Sequence, residues 1–148
     1  VEIVGSSDLH DVGELSAYER DLRAAARPLG ERCTFRPFVD RHGIPDVYRQ
    51  ADIVAMPADW DDPCPLVLLE AMASGAAVVA SARGGIREIG GDAVRYVDPR
   101  DRHAFATALA ELVRDDGARR RLASRAREAA EQQSWRKAAE KLLDVCGA

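Results

Sequence analysis

Apolar residues in this chain come in short runs separated by longer stretches of helical periodicity. Val1–Val4, Thr34-Phe35, Asp52–Met56, Ala77–Ala80 and Val94–Val97 are too short for helices and read as strands of a sheet buried on both faces. Between them, Ser16–Ala26, Ile44–Gln50 and Leu66–Ala73 read as helices, and Gly75 supplies the stop for the third. Ser6–Gly13 is a polar loop between the first strand and the first helix. From Asp101 onward the chain is helical, with stops predicted near Gly117 and Ser134. In the stretch Asp101–Asp115, Phe105, Leu109, Leu112 and Val113 repeat at helical spacing and mark a face for the sheet. Leu142, Leu143 and Val145 predict a last helix, within 134–148, that docks on the domain or crosses to a neighbour. This order of elements predicts an α/β fold, a Rossmann-like parallel sheet flanked by helices.

With 148 residues, the chain is expected to form one domain with a single core. Its 47% hydrophobic and 31% charged residues are those of an ordinary soluble globular protein. The formal charge of -4 argues against a general nucleic-acid binder. No apolar stretch reaches the length of a membrane span, and none near Val1 looks like a secretory signal. Cys33, Cys64 and Cys146 are far apart and form no C-x-x-C, so neither a disulfide framework nor a zinc site is implied, and a cytoplasmic setting is expected. Cys64, near a helix start, is either a reactive thiol or a small side chain filling a turn. The run Arg119-Arg120-Arg121, with Arg125 and Arg127, is either a contact for an anionic membrane surface or partner, or a solvated face balanced by Asp115, Asp116, Glu128 and Glu131.

The densest chemistry lies in Asp62 to Gly75, which reads D-P-C-P-L-V-L-L-E-A-M-A-S-G. Asp62 precedes Glu70 by eight positions, with a Pro63-Cys64-Pro65 turn and an apolar, buried helical stretch between them. Pro65 suits the first helical position, where its missing N–H is no loss. The unpaired N–H groups of that first turn, with the positive end of the helix dipole, make a site for anions. Glu70 lies where its carboxylate can reach back over the mouth of such a site and accept hydrogen bonds from sugar hydroxyls.

This arrangement resembles the E-x7-E signature of retaining, nucleotide-sugar-dependent glycosyltransferases of the GT-B fold, in their family four. Ala51–Pro57 is similar to the family's "a-D-i-x-x-x-P" strand and Gly75–Ser81 to its "G-x-P-V-V-A-S". Gly84-Gly85-Ile86-Arg87-Glu88 resembles the "G-G-I-P-E" turn with Arg87 in place of proline. Phe35–Val39 and Tyr48 follow the spacing "F-x-G-x-V … Y", with Pro37 in place of glycine.

The resemblance implies the C-terminal half of a GT-B fold, a donor-binding domain that takes a nucleoside-diphosphate sugar. It implies that Glu70 binds the ribose hydroxyls and that Asp62, an aspartate where the family has its first glutamate, is the catalytic contact to the transferred sugar. Asp61 is the substitute if the shorter Asp62 falls short. Cys64, Pro65, Leu66 and Val67 line the diphosphate end, and Phe38 and Val39 offer main chain and an apolar surface to the base. No metal and no cofactor are implied. The family also has an arginine and a lysine on the donor pyrophosphate, and an N-terminal domain carrying the acceptor site. Neither is found here, so the chain is expected to be most of a C-terminal domain, inactive alone.

Other features carry less. Asp59-Trp60-Asp61 matches the metal-holding D-x-D of the other large glycosyltransferase fold, yet hard-cation sites recruit more oxygen ligands than a lone tripeptide offers. His10, His42 and His103 have no nucleophile to partner. Gly84-Gly85 marks a tight turn that either brings the backbone to a ligand or serves as a turn alone. Two rival functions remain: a sugar-nucleotide epimerase or phosphorylase on the same fold, and a non-catalytic Rossmann-like ligand-binding module. For the latter, a receiver domain would need a lysine after its last strand, and no lysine precedes Lys137.

Overall fold

A computed structural model describes residues 1–5 and 14–147. The expected Ser6–Gly13 loop, with His10, lies outside the described residues. The chain divides into two compact bodies, Val1–Ile44 and Pro45–Ala148.

In the first body, strands β1 (Glu2–Val4) and β2 (Thr34–Arg36) pair in parallel, Glu2 opposite Thr34 and Val4 opposite Arg36. Glu2 and Arg36 sit diagonally on one face of this ladder, and the Arg36 guanidinium meets the Glu2 carboxylate at 2.8 Å. Helix α1 (Ala17–Ala26) starts where Ser16 and Glu19 close a capping box. The Ser16 hydroxyl accepts from the Glu19 N–H at 3.2 Å, and the Glu19 carboxylate accepts from the Ser16 N–H at 2.8 Å. A 3-10 stretch, Arg27–Arg32, follows. The Arg23 guanidinium lies 4.5 Å over the Phe35 ring.

In the second body, β3 (Ile53–Met56), β4 (Ala77–Ala80) and β5 (Arg95–Tyr96) form a parallel sheet in the order β3-β4-β5. The central β4 is fully buried, and its alternation decides which helices cover which face. Val78 and Ala80 join Leu68, Met72, Ile86, Ala126 and Ala130 in one core. Ala77 and Val79 join Phe105, Ala108, Leu112 and Leu122 in another. Those residues come from α3 (Leu66–Ser74), α4 (Ile86–Gly90), α5 (Arg102–Arg114) and α6 (Asp116–Glu131). Helix α2 (Ile44–Arg49) begins on the last residue of the first body. The parallel α/β architecture expected from the pattern is the one present.

Gly75 ends α3 as expected, in the left-handed region at φ 85°, with its N–H on the Met72 carbonyl. The stop expected near Gly117 is present and falls at Asp115, whose carboxylate accepts from the Ala118 N–H at 2.8 Å and starts α6, so Gly117 lies in the first turn of the next helix. An aspartate cap closes the new helix before the glycine is reached. Val113 is 66% exposed, because the buried face of α5 is Phe105, Ala108 and Leu112, and the next residue is rotated about 100° away from it. The arginine run is largely neutralised within α6: Arg119 and Arg120 both pair with Asp116, and Arg127 pairs with Glu131.

Helix α7 (Trp135–Cys146) starts at Ser134, whose hydroxyl accepts from the Lys137 N–H. It buries no residue, and Val145 is 86% exposed, so the expected docking on the domain is not made among the described residues. No helix of the described residues is long and apolar enough to cross a membrane.

Candidate functional site

Ligands of parallel α/β sheets bind beyond the carboxyl ends of the strands. In the second body, three loops leave those ends: 57–65 after β3, 81–85 after β4 and 97–101 after β5. The backbones of the first two are in direct contact. The Gly85 N–H donates to the Asp62 carbonyl at 2.8 Å, and the Gly84 N–H donates to Asp61 Oδ1 at 3.0 Å. A Cβ on Gly84 would stand 2.3 Å from the Asp62 carbonyl oxygen, and one on Gly85 2.2 Å from that of Pro63. Gly84 also has φ +48°, so the expected turn is present, and what the two glycines admit is the neighbouring loop.

The D-W-D tripeptide belongs to the same stitching. Asp59 accepts from Arg83 at 2.9 Å and from Arg100 at 3.2 Å, and the Arg100 hydrogen bond holds its carboxyl below the usual range. Asp61 Oδ1 accepts from Gly84, a tie like the one Asp62 makes within its own turn. Among the described residues, no three His, Cys, Asp or Glu side chains are gathered to hold a metal. His42 meets the Asp40 carboxylate, and His103 is exposed on α5.

Asp62 is half-buried, and its Oδ1 accepts from the Cys64 N–H at 2.9 Å, an Asx turn that shapes the approach to α3. Pro65 is not the first helical residue. It is the N-cap, at φ -69° and ψ 99°, with its ring buried, because the extended ψ lets the chain turn from that loop into the helix. Since Pro65 has no side-chain acceptor, the first-turn N–H groups of α3 receive no side-chain cap. Leu66 and Val67 are 49% and 48% exposed, and Cys64 is an exposed free thiol. The expectation of an unbroken buried stretch is corrected here. Only Leu68, Ala71 and Met72 turn inward, since one side of a helix faces the sheet and the other does not.

Glu70 lies on the exposed side of α3, about 6 Å along the axis from Leu66 at 1.5 Å per residue. Helical side chains lean toward the N-terminus, so its carboxylate is carried toward the uncapped turn. The Tyr48 ring of α2 is half-buried and packs against the core that contains Leu68 and Met72. Burial first, then the Glu70 charge, push the Tyr48 hydroxyl up to about 12.

Phe38 and Val39 follow β2 in the first body, Phe38 exposed and Val39 half-buried. The loop closes behind them, with the Asp40 carbonyl accepting from the Gly43 N–H at 2.8 Å. A Cβ on Gly43 would stand 3.0 Å from Val39 Cγ1.

The family model described as "Glycosyl transferases group 1" matches residues 1–129. The chain belongs to the group 1 glycosyl transferases. It is 42% identical over 130 residues to a D-inositol 3-phosphate glycosyltransferase of Xylanimonas cellulosilytica, covering 85% of this chain and 31% of that protein. The structure is similar to sucrose-phosphate synthase from Thermosynechococcus elongatus, with a TM-score of 0.81 and 29% identity over 97% of this chain and 37% of the other. It is also similar to HepE of Anabaena in complex with UDP-glucose, with a TM-score of 0.74 and 26% identity over 88% and 35%. The chain thus spans about a third of the length of these relatives. The expected GT-B fold is that of its structural neighbours.

Within this group 1 glycosyl transferase chain, Arg87 stands in place of a proline and stacks its guanidinium 4.7 Å over the Tyr96 ring, joining α4 to β5. Three side chains near the site have no role legible in the sequence. Tyr48 enters only as part of a spacing, since the core its ring packs on is built from other helices. Arg83 and Arg100 showed no pattern at all, because the Asp59 carboxylate that unites them is distant from both in sequence.

Proposed function

We propose that this chain is the donor-binding domain of a glycosyltransferase that moves a sugar from a nucleoside-diphosphate sugar to an acceptor, with retention of configuration. The observation that carries the reading is Glu70, an exposed carboxylate one helical turn from the uncapped start of α3. A carboxylate suits a vicinal diol, and uncapped helix N–H groups suit a diphosphate. That HepE, a neighbour in fold, has been captured with UDP-glucose supports a donor of this class.

In this reading Glu70 accepts from the ribose hydroxyls. Cys64, Pro65, Leu66 and Val67 flank the diphosphate, with Asp62 at the transferred sugar. The domain positions the donor and stabilises the charge that develops on the departing diphosphate. No protein nucleophile and no metal take part, so the leaving charge falls to the α3 N-terminus and to cationic groups. The cysteines, all free, fit an enzyme working in the cytoplasm.

The test is calorimetric titration of UDP, GDP, ADP and dTDP into wild type and Glu70→Ala. The diphosphate that binds wild type should lose about 1.5–3 kcal/mol with Glu70→Ala, the value of a hydrogen bond to a charged group. Equal affinity in the two proteins removes Glu70 from the donor site, and the reading with it.

A further inference from the structure

We propose that Trp60 is a sugar-stacking residue of the donor site, an indole platform for the apolar face of the transferred hexose. The inference rests on the donor reading of the α3 start and adds to it a contact that a sugar can use and a diphosphate cannot.

Trp60 lies in the loop that leaves the carboxyl end of β3, two positions before Asp62. It is 67% exposed, although an indole offers one of the largest apolar areas that a side chain can bury. Single exposed apolar residues are common on surfaces. Trp60 differs in that the residues on both sides of it are tied to the loop after β4. Asp59 Oδ1 accepts from Arg83 at 2.9 Å, and Asp61 Oδ1 accepts from the Gly84 N–H at 3.0 Å. The other Asp59 oxygen accepts from Arg100 at 3.2 Å, in the loop after β5. The main chain around Trp60 is thus anchored to both neighbouring loops, while the indole joins neither core of the described residues. A ring carried by a fixed backbone costs less to order when a ligand arrives.

A hexose ring presents hydroxyls at its edge and a patch of C–H bonds on its face. Asp62 suits the hydroxyls, and a flat indole suits the C–H face, which it removes from water. Two residues of extended chain span at most about 7 Å, so one hexose reaches both. A diphosphate has no such face, and the indole gives it nothing.

The experiment measures binding of UDP-glucose and UDP, and of GDP-mannose and GDP, to the full chain by calorimetry. The proteins are wild type, Trp60→Ala, Trp60→Phe and Glu70→Ala. For the pair that binds wild type, Trp60→Ala should weaken the sugar nucleotide about tenfold and leave the diphosphate within about twofold. Trp60→Phe, which retains a flat ring, should recover most of the loss. The chain has two tryptophans, so Trp135→Phe leaves Trp60 as the sole indole reporter. Its emission should change with the sugar nucleotide beyond any change given by the diphosphate. Equal losses for sugar nucleotide and diphosphate, no loss for either, or an emission that does not tell them apart overturns the role of Trp60. Glu70→Ala then separates the two failures. If it weakens both ligands, the donor reading stands and only Trp60 leaves the site. If it weakens neither, or wild type binds none of the four, the donor reading falls and the inference with it.

Discussion

The side chains around the start of α3 divide between holding loops and facing solvent, and Asp62 does some of each. Its Oδ1 is turned back to the Cys64 N–H, which makes the residue part of the turn as well as the proposed sugar contact. Asp62→Asn separates the two duties, because asparagine retains an acceptor oxygen for the turn and loses the charge. Steady-state kinetics of the enzyme should then show kcat lowered about ten- to hundredfold, the kinetic equivalent of one hydrogen bond to a charged group. Nucleoside-diphosphate affinity should stay within about twofold of wild type, as for an interaction made chiefly in the transition state. Collapse of that affinity would place Asp62 at the diphosphate end. Asp59 is different, since both of its carboxylate oxygens are engaged, by Arg83 and by Arg100. A chelator should accordingly leave turnover unchanged.

At the scale of elements, the site is shaped by the contact between two loops and one helix start. Gly84 and Gly85 let the loop after β4 press its backbone against Asp62 and Pro63, and that contact sets how the chain enters α3. In Gly85→Ala the new methyl meets a main-chain oxygen, which has no rotamer to give. Urea denaturation should show a loss of about 1–3 kcal/mol, typical of overpacking, and diphosphate binding should weaken with it. Unchanged stability and unchanged binding would mean that the loops separate easily and that the site does not depend on their contact. Helix α3 itself was legible because its Leu-rich run and terminal Gly75 are local signals. Its start at Leu66 is where the pattern puts it, but proline is compatible with both the first helical position and the cap, and only the ψ of Pro65 decides between them.

Across the whole molecule, stability is concentrated in the faces of β4. Leu68 is wholly buried against one of them, and Leu68→Ala should cost about 2–5 kcal/mol in urea denaturation. Leu142, also an apolar helical residue, is 64% exposed on α7, and Leu142→Ala should change stability by no more than about 0.5 kcal/mol. A large loss at Leu142 would mean that α7 packs on the domain in solution. The two leucines look alike in a hydrophobicity profile. Their environments differ because α3 packs against both the sheet and α6, whereas α7 buries no residue among the described residues.

The sequence alone determined the order of strands and helices, the parallel α/β class and the family. Runs such as Ala77–Ala80 and motifs such as Asp62 to Gly75 are properties of residues close together in the chain. It also singled out Glu70, through its spacing from Asp62. Only the tertiary structure decided that Leu66 and Val67 face outward and that Asp59 is met by both Arg83 and Arg100. Periodicity tells which residues share a helix face, but not which neighbour that face will meet. Pairing between elements, such as Asp59 with Arg83 and Arg100, arises from how whole helices and loops pack, and no local pattern encodes it.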